Sequence, residues 1–573
     1  MEMSKENLFL EKVKCDGLIF AFSSDSFLTL PSDRLLKLTG FSGSFGIAFV
    51  LPKEKILWTD SRYTLQAAEQ SSFQIKNIAD GSFYDYIARQ SLHGLKIACF
   101  PQLCSADGFE KLQGAFLKAG AVCVSVSVDV LDSVIETKVE PEPVSFPYPI
   151  DFAGKTTEEK IKDLLFSIKD ELEQTGSEGV LINDAASVSW LLNKRADRPY
   201  TPVVFNRVFI DKQGRLFVLP NLNDSADESA NKTDEERKVW NFFSHKKVLT
   251  DFSQITAALK TKAEKEGVVL VRGKNPCDAL KAVKNKTELE KIKEVSLRES
   301  AVLCSFFLWL KDNFKGQTEL SVVDYLHQLR RKIPDYKGDS FPAISAFGAH
   351  GAVVHYQPNE KTDIPLEQGG LYLLDTGGQY LGGTTDVTRT IALGKADKEA
   401  KKYFTAVLQG HIALAEAIFP KKTRSNQLDA FARGPLWRIG ADYGHGTGHG
   451  IGAFLNVHET PPSVSPYGGE ELKEGMILSN EPGVYLENKF GIRLENMMAV
   501  VPFSKNNNFL CFEMISFIPF DLELVETALL SIREKEWLQK YCDLILKKIS
   551  PLMEEKDRQK LSDYITRTRE LLK

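Results

Sequence analysis

Long apolar runs are missing from the 573-residue sequence, in which no segment approaches the roughly 18 uninterrupted apolar residues of a membrane-spanning helix. The start of the chain, MEMSKENLFLEKVKCDGLIFAFSSDS, lacks the basic region, the long apolar stretch and the small-residue cleavage site of a secretion signal. We therefore expect no membrane span and no secretion signal, and we predict a cytoplasmic protein.

Charge excess and closely paired cysteines are missing too. A formal net charge of −5 is small for this length, so the sequence predicts neither a nucleic-acid partner nor an anionic membrane surface. The eight cysteines show no C-x-x-C spacing. They are expected to be reduced thiols, mostly in the core, rather than disulfides or ligands of a structural zinc ion.

The sequence does contain a repeated alternation of strand-like and helix-like segments, and its length predicts three or four domains. Residues 15–140 alternate strand-like apolar runs such as GLIFAF, KIACF and AVCVSVSVDVL with helical stretches such as RYTLQAAEQ. Residues 155–290 repeat this alternation and begin with a helix predicted over EEKIKDLLFSIKDELEQ (158–174). We predict two α/β domains of one fold type. The proline-rich PEPVSFPYPIDFAG at 141–154 is predicted to be an exposed linker, and the polar run at 222–238 a surface loop leading into a helix.

The last part of the chain has a different composition and a different pattern of apolar residues. NKTELEKIKEVSLRESAVLCSFFLWLKDNF has apolar residues at helical spacing and predicts a long amphipathic helix. Glycine-rich strands follow over about 340–502 and carry six of the nine histidines, and the charged tail from 535 is predicted to be a helical cap. The predicted bounds are 1–145 for an N-terminal domain, 146–288 for a middle domain and 289–573 for a catalytic domain with its C-terminal cap.

The segment YGHGTGHGIG at 443–452 places His445 and His449 four residues apart. On a helix, two histidines at this spacing would bind one zinc ion, as in the H-E-x-x-H peptidases. Each glycine costs a helix interior about 1 kcal/mol relative to alanine, and no glutamate follows His445. We therefore predict an extended or looped backbone in which the two imidazoles have different roles.

Four carboxylates lie in strand-like apolar runs or directly after them: Asp375, Asp386, Glu481 and Glu495. Residues 371–393 resemble two strands joined by a glycine-bearing turn, and such a hairpin would bring Asp375 and Asp386 onto one face. An isolated carboxylate is costly to bury, so these groups are expected to be exposed or to face a positive partner. Together with His449 they form a donor set that favours hard divalent ions, manganese first, with zinc, cobalt or iron as alternatives. Four carboxylates balance two divalent cations but leave two negative charges in excess on one, which favours a dinuclear centre.

Asp375 also begins an Asp-Thr-Gly triplet, which resembles the signature of aspartic proteases. Those enzymes need two such triplets that share one proton, or one triplet in each of two short chains. This long chain has a single triplet, so an aspartic protease is disfavoured.

The ordered set of Asp375, Asp386, His449, Glu481 and Glu495 resembles the metal ligands of the pita-bread metallopeptidases, which include methionine aminopeptidase, prolidase, aminopeptidase P and creatinase. Within that family, DTGGQYLGGTTDVTRT, GTGHGIGAFLNVHE and SNEPGVYLENKFGIRLEN are similar to the long, three-domain, cytosolic type of aminopeptidase P. GFSGSFGIAF and ILWTDSRYTLQAAEQ extend the resemblance to the first domain. It implies α/β N-terminal and middle domains of the creatinase N-terminal type, an α+β pita-bread catalytic domain, and a homodimer.

The same resemblance implies roles for side chains around the metal ligands. Those expected to act in catalysis are His355, His445, His458 and Glu481, the last as both ligand and proton acceptor. Those expected to bind substrate are Arg62, His355, His449, His458, Tyr485 and Arg493. Arg493 and Glu495 are two residues apart, so on a strand both would point to the same face. The remaining histidines are expected to be structural: His93, His245, His327, His350 and His411.

The activity that the resemblance implies is hydrolysis of the first bond of peptides with proline at the second position, by a water bridging two divalent metal ions. Prolidase, which cleaves only X-Pro dipeptides, is the alternative within the family. The FLNVHE string and the additional middle domain favour aminopeptidase P over prolidase. A non-catalytic binding protein on the same fold is the alternative from another class, and the intact set of five ligand positions disfavours it.

Overall fold

The computed structural model describes residues 4–23, 32–220 and 233–573. By its contacts the chain forms two compact units. The first contains the residues up to Pro147, Lys155–Asp197 and Val203–Asp278, and the second contains Tyr148–Gly154, Arg198–Pro202 and Ala279–Lys573.

The first unit begins with a mixed six-stranded sheet. Its strands are β1 (Gly17–Ser23), β2 (Phe45–Leu51), β3 (Glu54–Thr59), β4 (Gln74–Asn77), β5 (Lys96–Cys99) and β6 (Val122–Ser125), in the order β4-β3-β2-β1-β5-β6. The helices of this region are α1 (Lys5–Val13), α2 (Arg34–Thr39), α3 (Thr64–Gln70), α4 (Phe83–Ala88), α5 (Ala106–Ala119) and α6 (Val128–Ile135). The serine cap of α5 at Ser105 and the left-handed Gly120 mark the ends of a helix that buries Phe109, Leu112 and Phe116 at helical spacing.

The middle of the chain repeats this arrangement. Its strands are β7 (Ser145–Pro147), β8 (Gly179–Ile182), β9 (Lys194–Ala196), β10 (Asn206–Asp211), β11 (Leu216–Pro220), β12 (Lys247–Thr250) and β13 (Val269–Arg272). Its helices are α7 (Ile150–Ala153), α8 (Thr157–Ser167), α9 (Lys169–Thr175), α10 (Ala185–Leu191), α11 (Asp234–Phe243), α12 (Ala257–Lys265) and α13 (Pro276–Ala282). The main sheet has the order β11-β10-β8-β12-β13, and its parallel and antiparallel pairs match those of β3-β2-β1-β5-β6. The prediction of two domains of one fold type is confirmed.

Besides α7, the second unit carries the helices and strands that follow α13. Its helices are α14 (Lys286–Asn313), α15 (Glu319–Arg330), α16 (Lys398–Ala415), α17 (Asn426–Trp437), α18 (Ile532–Lys548) and α19 (Glu555–Leu571). Its strands are β14 (Tyr336–Asp339), β15 (Ile344–Phe347), β16 (Gly370–Thr376), β17 (Gly378–Tyr380), β18 (Gly383–Thr384), β19 (Val387–Leu393), β20 (Ile418–Pro420), β21 (Gly448–Gly450), β22 (Glu459–Val464), β23 (Ile477–Asn480), β24 (Gly483–Leu486), β25 (Phe490–Arg493), β26 (Asn496–Pro502) and β27 (Phe509–Met514). The long helix predicted from the sequence is α14, which begins at a capping box formed by Asn285 and Glu288.

The strands of this unit form a six-stranded sheet of order β20-β27-β26-β23-β21-β22, a three-stranded sheet β15-β16-β19, a second one β14-β17-β18, and the hairpin β24-β25. A large apolar core joins α14, α15, α16 and the C-terminal helices α18 and α19 to this framework. The tail is therefore a helical cap, as predicted. Among the described residues, no helix has the length and apolar character to cross a membrane.

Several local predictions need correction. The proposed linker at 141–154 contains β7, which pairs with β9, and the short helix α7. The helix predicted after residue 157 is broken into α8 and α9 at Ile168. The end of the run AVCVSVSVDVL belongs to α6 rather than to a strand. Of the predicted loop at 222–238, residues 222–232 lie outside the described residues, and α11 begins at Asp234.

Candidate metal centre

Three of the candidate carboxylates meet around the antiparallel pair β16–β19. Asp375 of β16 is registered with Thr388 of β19, and Asp386 stands one residue before β19 begins. Glu495 lies between β25 and β26, and its backbone N–H donates to the carbonyl of Thr388 at 3.0 Å. The Thr388 hydroxyl donates to Glu495 Oε2 at 2.7 Å. Thr388 thus fixes both the backbone and the side chain of Glu495 beside the two aspartates.

The sequence suggested that Asp375 and Asp386 lie on the two strands of a simple hairpin, and this was wrong. Between β16 and β19 the chain passes through β17 and β18, which belong to another sheet. Likewise, the hairpin β24–β25 separates Glu481 from Glu495. The carboxylates come together because β16 pairs with β19 and because the backbone of Glu495 bonds to Thr388 of β19. Short turns between neighbouring strands do not bring them together.

His449 and Glu481 are placed by the six-stranded sheet. His449 lies on β21, so the prediction of an extended backbone is confirmed, and Glu481 directly follows β23. Ser479 links them, since its hydroxyl accepts from the His449 N–H at 3.0 Å and donates to Glu481 Oε1 at 3.1 Å. A Cβ on Gly448 would lie only 2.1 Å from the carbonyl oxygen of Ser479, so glycine is required for this approach.

The proton of the His449 ring is held away from the carboxylates. Nδ1 lies 2.9 Å from the carbonyl oxygen of Gly450, an acceptor, so Nδ1 carries the hydrogen and Nε2 keeps its lone pair. Nε2 lies 3.4 Å from Asp386 Oδ2 and 3.3 Å from Glu481 Oε1. Ligand atoms of Asp386, His449 and Glu495 all fall within 4.8 Å of one another. A metal-binding histidine needs this tautomer, with the hydrogen on Nδ1 and the lone pair on Nε2.

Ionisation of every carboxylate would give the cluster a large excess of negative charge. Burial, and then repulsion from Asp375 and Glu481, raises the pKa of Asp386 well above its ordinary value. Burial, and then repulsion from Asp386, Asp375 and Glu481, raises the pKa of Glu495 in the same way. Buried carboxylates that repel one another call for a cation between them.

Asp375 gives a direct test of whether the residues fit a metal. Its Oδ2 accepts from Arg493 at 2.6 Å, whereas its Oδ1 is buried without a hydrogen-bond partner among the described residues. A buried carboxylate oxygen without a donor is costly. A bound cation would satisfy this oxygen. Oxygen donors with one imidazole suit hard divalent ions, so the residues present fit the predicted centre.

Arg493, Tyr485 and His445 form a hydrogen-bonded chain that leads away from Asp375. Besides Asp375, Arg493 donates to the Tyr485 hydroxyl at 2.7 Å. The Nδ1 of His445 lies 2.7 Å from the carbonyl oxygen of Gly446, so it carries the ring hydrogen, and Nε2 accepts from the Tyr485 hydroxyl at 2.7 Å. Burial raises the pKa of Tyr485 to about 12, which keeps this donor protonated. The lone pair of His445 is therefore used by Tyr485, unlike that of His449.

The candidate histidines His458 and His355 lie on two separate loops. The ring of His458 packs edge-on against that of His449, with 4.4 Å between centroids and 84° between planes. The next residue, Glu459, forms a fully buried ion pair with Lys284. His355 is half-buried in the loop after the short turn Gly348–Ala352.

The loop of His355 is tied down by a buried carboxylate. Glu319, at the start of α15, lies 2.9 Å from Nδ1 of His350 and accepts from the Tyr356 hydroxyl at 2.9 Å. The Gly351 carbonyl packs closely on Gly491 of β25. A Cβ on Gly491 would lie 1.7 Å from the carbonyl oxygen of Gly351. These contacts fix the loop on both sides of His355, next to the strand that ends at Arg493.

The remaining candidates lie elsewhere. Arg62 belongs to the first unit, where its guanidinium donates to both carboxylate oxygens of Asp60 at 2.8 Å. Of the histidines expected to be structural, His327 contacts Asp339 at 2.6 Å. His411 is fully buried, and burial followed by the charge of Arg389 lowers its pKa to about 3, so it stays neutral. The eight cysteines are all free thiols, five of them buried.

Comparison with known families agrees with this geometry. Residues 23–134 and 137–288 each match the Creatinase/Prolidase N-terminal domain. Residues 290–502 match metallopeptidase family M24, and residues 508–570 match the C-terminal region of peptidase M24. Two creatinase-type N-terminal domains thus precede a pita-bread catalytic domain, and the predicted fold class is confirmed.

Individual proteins match over most of the chain. Aminopeptidase P2 of Arabidopsis thaliana is 34% identical over 584 residues, which cover 91% of this chain and 81% of that protein. The crystal structure of an X-prolyl aminopeptidase from Caenorhabditis elegans, described as a cytosolic enzyme with a di-nuclear active site, is 28% identical, with a TM-score of 0.87 over 99% of this chain and 98% of that one. The prolidase of Pyrococcus horikoshii OT3 shares the fold at 20% identity and a TM-score of 0.51, over 64% of this chain and 99% of its own.

Proposed function

The chain belongs to metallopeptidase family M24, and we propose that it is a metal-dependent aminopeptidase that hydrolyses the N-terminal X-Pro bond of peptides. The observation that carries this proposal is the cluster of Asp386, His449 and Glu495, whose ligand atoms lie within 4.8 Å of one another. Glu481 lies 3.3 Å from His449, and the buried Oδ1 of Asp375 has no hydrogen-bond partner among the described residues. The similarity to aminopeptidases P over about nine-tenths of the chain supports the choice of substrate.

Those five side chains would hold two divalent cations, manganese first by the preference of four carboxylates and one imidazole for hard ions. When bound, the cations would supply Lewis acidity toward the peptide carbonyl and lower the pKa of a water molecule. The di-nuclear site of the Caenorhabditis elegans relative supports the number two.

The side chains of this protein move the protons and offset the charges of the reaction. Glu481 accepts the proton of the attacking water and passes it to the leaving nitrogen, because its carboxylate can exchange a proton while it stays at the centre. His355 and His458 stabilise the negative charge that develops on the carbonyl oxygen. His445, held by Tyr485 and Arg493, lies on the substrate side of His449 and positions the peptide.

Specificity for proline follows from the chemistry of the X-Pro bond. The nitrogen of that bond carries no hydrogen, so a general peptidase loses the hydrogen bond that it makes to other substrates. A pocket for the pyrrolidine ring restores selectivity, and Arg62 of the first unit contributes to binding of the peptide. We further propose domains 1–145, 146–288 and 289–573, a homodimer as the working form, and a cytoplasmic location, which the relative described as cytosolic supports.

The proposal is tested with peptides of different length. Purified protein with added Mn²⁺ is incubated with an Arg-Pro-Pro tripeptide, a longer X-Pro peptide and an X-Pro dipeptide, and the products are separated by chromatography. We expect release of the first residue from the tripeptide and the longer peptide. Cleavage of the dipeptide alone would identify a prolidase, and a protein that carries no metal and cleaves none of the three would be a binding protein.

Replacement of the two histidines of the glycine-rich segment is expected to have different consequences. His449→Ala should lower metal content, because it removes an imidazole whose lone pair faces the carboxylates. His445→Ala should keep the metal and lower kcat/KM on the order of 100-fold, within the range for a positioned acid–base group. Metal per chain and kcat with KM are measured for both variants. Equal metal loss would show that both imidazoles are ligands.

Stabilisation by metal is expected to increase with pH. In the metal-free protein the raised pKa values of Asp386 and Glu495 keep protons on these groups above the ordinary carboxyl range near pH 4. The folded form then binds more protons than the unfolded chain, so it loses stability as pH rises through this window. Bound cations hold the groups ionised and remove that loss.

The measurement is Tm with and without Mn²⁺ between about pH 5.5 and about pH 7.5, where linkage predicts the growing difference. The Glu495→Ala variant is the control, since it lacks one of the two groups. A difference in Tm that shrinks toward the higher pH would contradict this account of the carboxylates.

A further inference from the structure

A buried arginine on α17 holds the loop that carries His445. Arg433 is 4% exposed. Its guanidinium donates to the backbone carbonyl of Tyr443 at 2.6 Å and to that of His445 at 2.8 Å. It also lies over the ring of Tyr443, with 4.0 Å to the centroid. One side chain of a helix thus makes three contacts with the segment directly before and at His445.

The partner of this arginine on the same helix holds the loop from its other end. Asp429 accepts from Arg433 Nε at 2.7 Å and from the Thr447 hydroxyl at 2.6 Å. The Tyr443 hydroxyl donates to the same threonine oxygen at 2.5 Å. Asp429, Arg433 and Thr447 are all buried. The segment 443–447 is therefore attached at both ends to one pair of charges on α17.

The chemistry of the pair suits positioning better than stability. Taking two charges out of water offsets most of their attraction, so a buried ion pair is often no more stabilising than apolar residues of the same size. A guanidinium, by contrast, presents its donors in a fixed planar fork. With its Nε held by Asp429, the fork of Arg433 can meet the Tyr443 and His445 carbonyls in only one orientation of the loop.

We propose that Arg433 and Asp429 are positioning residues that set the place of the His445 ring relative to the substrate. The inference rests on the proposed role of His445 in peptide hydrolysis. Neither residue touches the ligand cluster in the contacts above, and both act through the loop.

The chain provides a matched control on the same arginine. Arg433 Nη1 also donates to Asp442 at 2.8 Å, and the side chain of that aspartate is 54% exposed. Exposed ion pairs contribute little. Asp442→Asn, which keeps the acceptor oxygen, should therefore leave kcat and KM within about twofold of the unmodified enzyme, because only a screened charge is lost.

The experiment compares Arg433→Gln and Asp429→Asn, alone and with His445→Ala, in the full chain loaded with Mn²⁺. A displaced ring should lower kcat about 10- to 100-fold, as loss of alignment does. Metal per chain should stay at the unmodified level. In the His445→Ala background the same substitutions should add less than about twofold, because a residue that acts through His445 has nothing left to act on. The double variant Asp429→Asn/Arg433→Gln leaves no unpaired buried charge and serves if a single variant does not fold.

Hydrogen exchange provides a readout that does not depend on activity. Amide exchange across residues 441–449 should be faster in Arg433→Gln than in Asp442→Asn, while exchange in α16 and β26 is unchanged. Three results would each overturn the proposal. They are a fall in kcat in the His445→Ala background as large as in the unmodified enzyme, a loss of metal, and unchanged amide exchange at 441–449. If the unmodified protein cleaves no X-Pro peptide, the proposed function fails, and exchange alone decides whether the pair holds the loop.

Discussion

Asp386→Ala and Glu495→Ala are each expected to lose bound metal and to lower kcat/KM by more than about 100-fold. Loss of a group that hydrogen-bonds to a metal ligand already lowers metal affinity or activity by about 10- to 100-fold, and loss of the ligand itself lowers them further. The expected loss is large because the neighbouring carboxylates remain but no longer form a complete site. Metal per chain by elemental analysis and kcat/KM are the measurements.

The same two variants should fold normally in the metal-free state. Both groups have pKa values raised by burial and by their carboxylate neighbours, so each one destabilises the metal-free fold. Removing either should leave Tm without metal equal to that of the unmodified protein or slightly above it. Glu513→Ala is the matched control, since this partly exposed glutamate of β27 pairs with Lys293 and should keep metal and activity. Normal metal content in the Glu495 variant would show that the ligand assignment is wrong.

The sequence predicted elements whose signal is local. The capping box at Asn285 and the apolar spacing after it are sufficient for α14, and the glycines of YGHGTGHGIG are sufficient to exclude a helix there. Both depend on residues within a few positions of each other. The five donor positions follow from resemblance to a family motif, and their spacing along the chain does not predict how they are placed in space.

The pairing of distant strands could not be predicted in the same way. Asp375 and Asp386 are only eleven residues apart, which suggested a hairpin, yet β17 and β18 join a different sheet between them. Strand order is decided by which faces are buried, and a short sequence window carries no information about this. The short helix and strand within the supposed linker at 141–154 were missed for the same reason, because β7 is stabilised by pairing with β9.

Electrostatic partners were predicted only in part: Arg493 was expected at the site, but its pairing with Asp375 was not. The charge count from the sequence balanced four carboxylates against two divalent ions, but Arg493 donates to Asp375 and adds one positive charge, so the count becomes −4 + 1 = −3. That sum no longer distinguishes one ion from two, and the case for two depends on the number of donors and on the solved relative. The roles of Thr388 and Arg433 could not be predicted, because they depend on contacts with Glu495 and with the His445 segment that only the folded chain brings about.

Chelation of the metal-loaded protein is expected to abolish hydrolysis of X-Pro peptides, and added Mn²⁺ is expected to restore it. Without a cation, the buried Oδ1 of Asp375 has no partner among the described residues, and the carboxylates around it repel one another. The centre can then neither polarise a carbonyl nor lower the pKa of a water molecule. Activity should fall below about 1% of the starting value, as expected when a Lewis acid worth several kcal/mol is lost.

Three controls separate this result from other causes. The chelated protein should keep its far-ultraviolet circular dichroism, because the cores of both units are apolar and do not contain the cluster. An inhibitor of aspartic proteases should have no effect, since the chain has one Asp-Thr-Gly triplet and its Asp375 is paired with Arg493 rather than with a second aspartate. Mn²⁺ added to chelated Glu495→Ala protein should restore nothing, because that variant lacks a ligand. Undiminished hydrolysis after exhaustive chelation would mean that the cluster serves another purpose and that the reaction proceeds without metal.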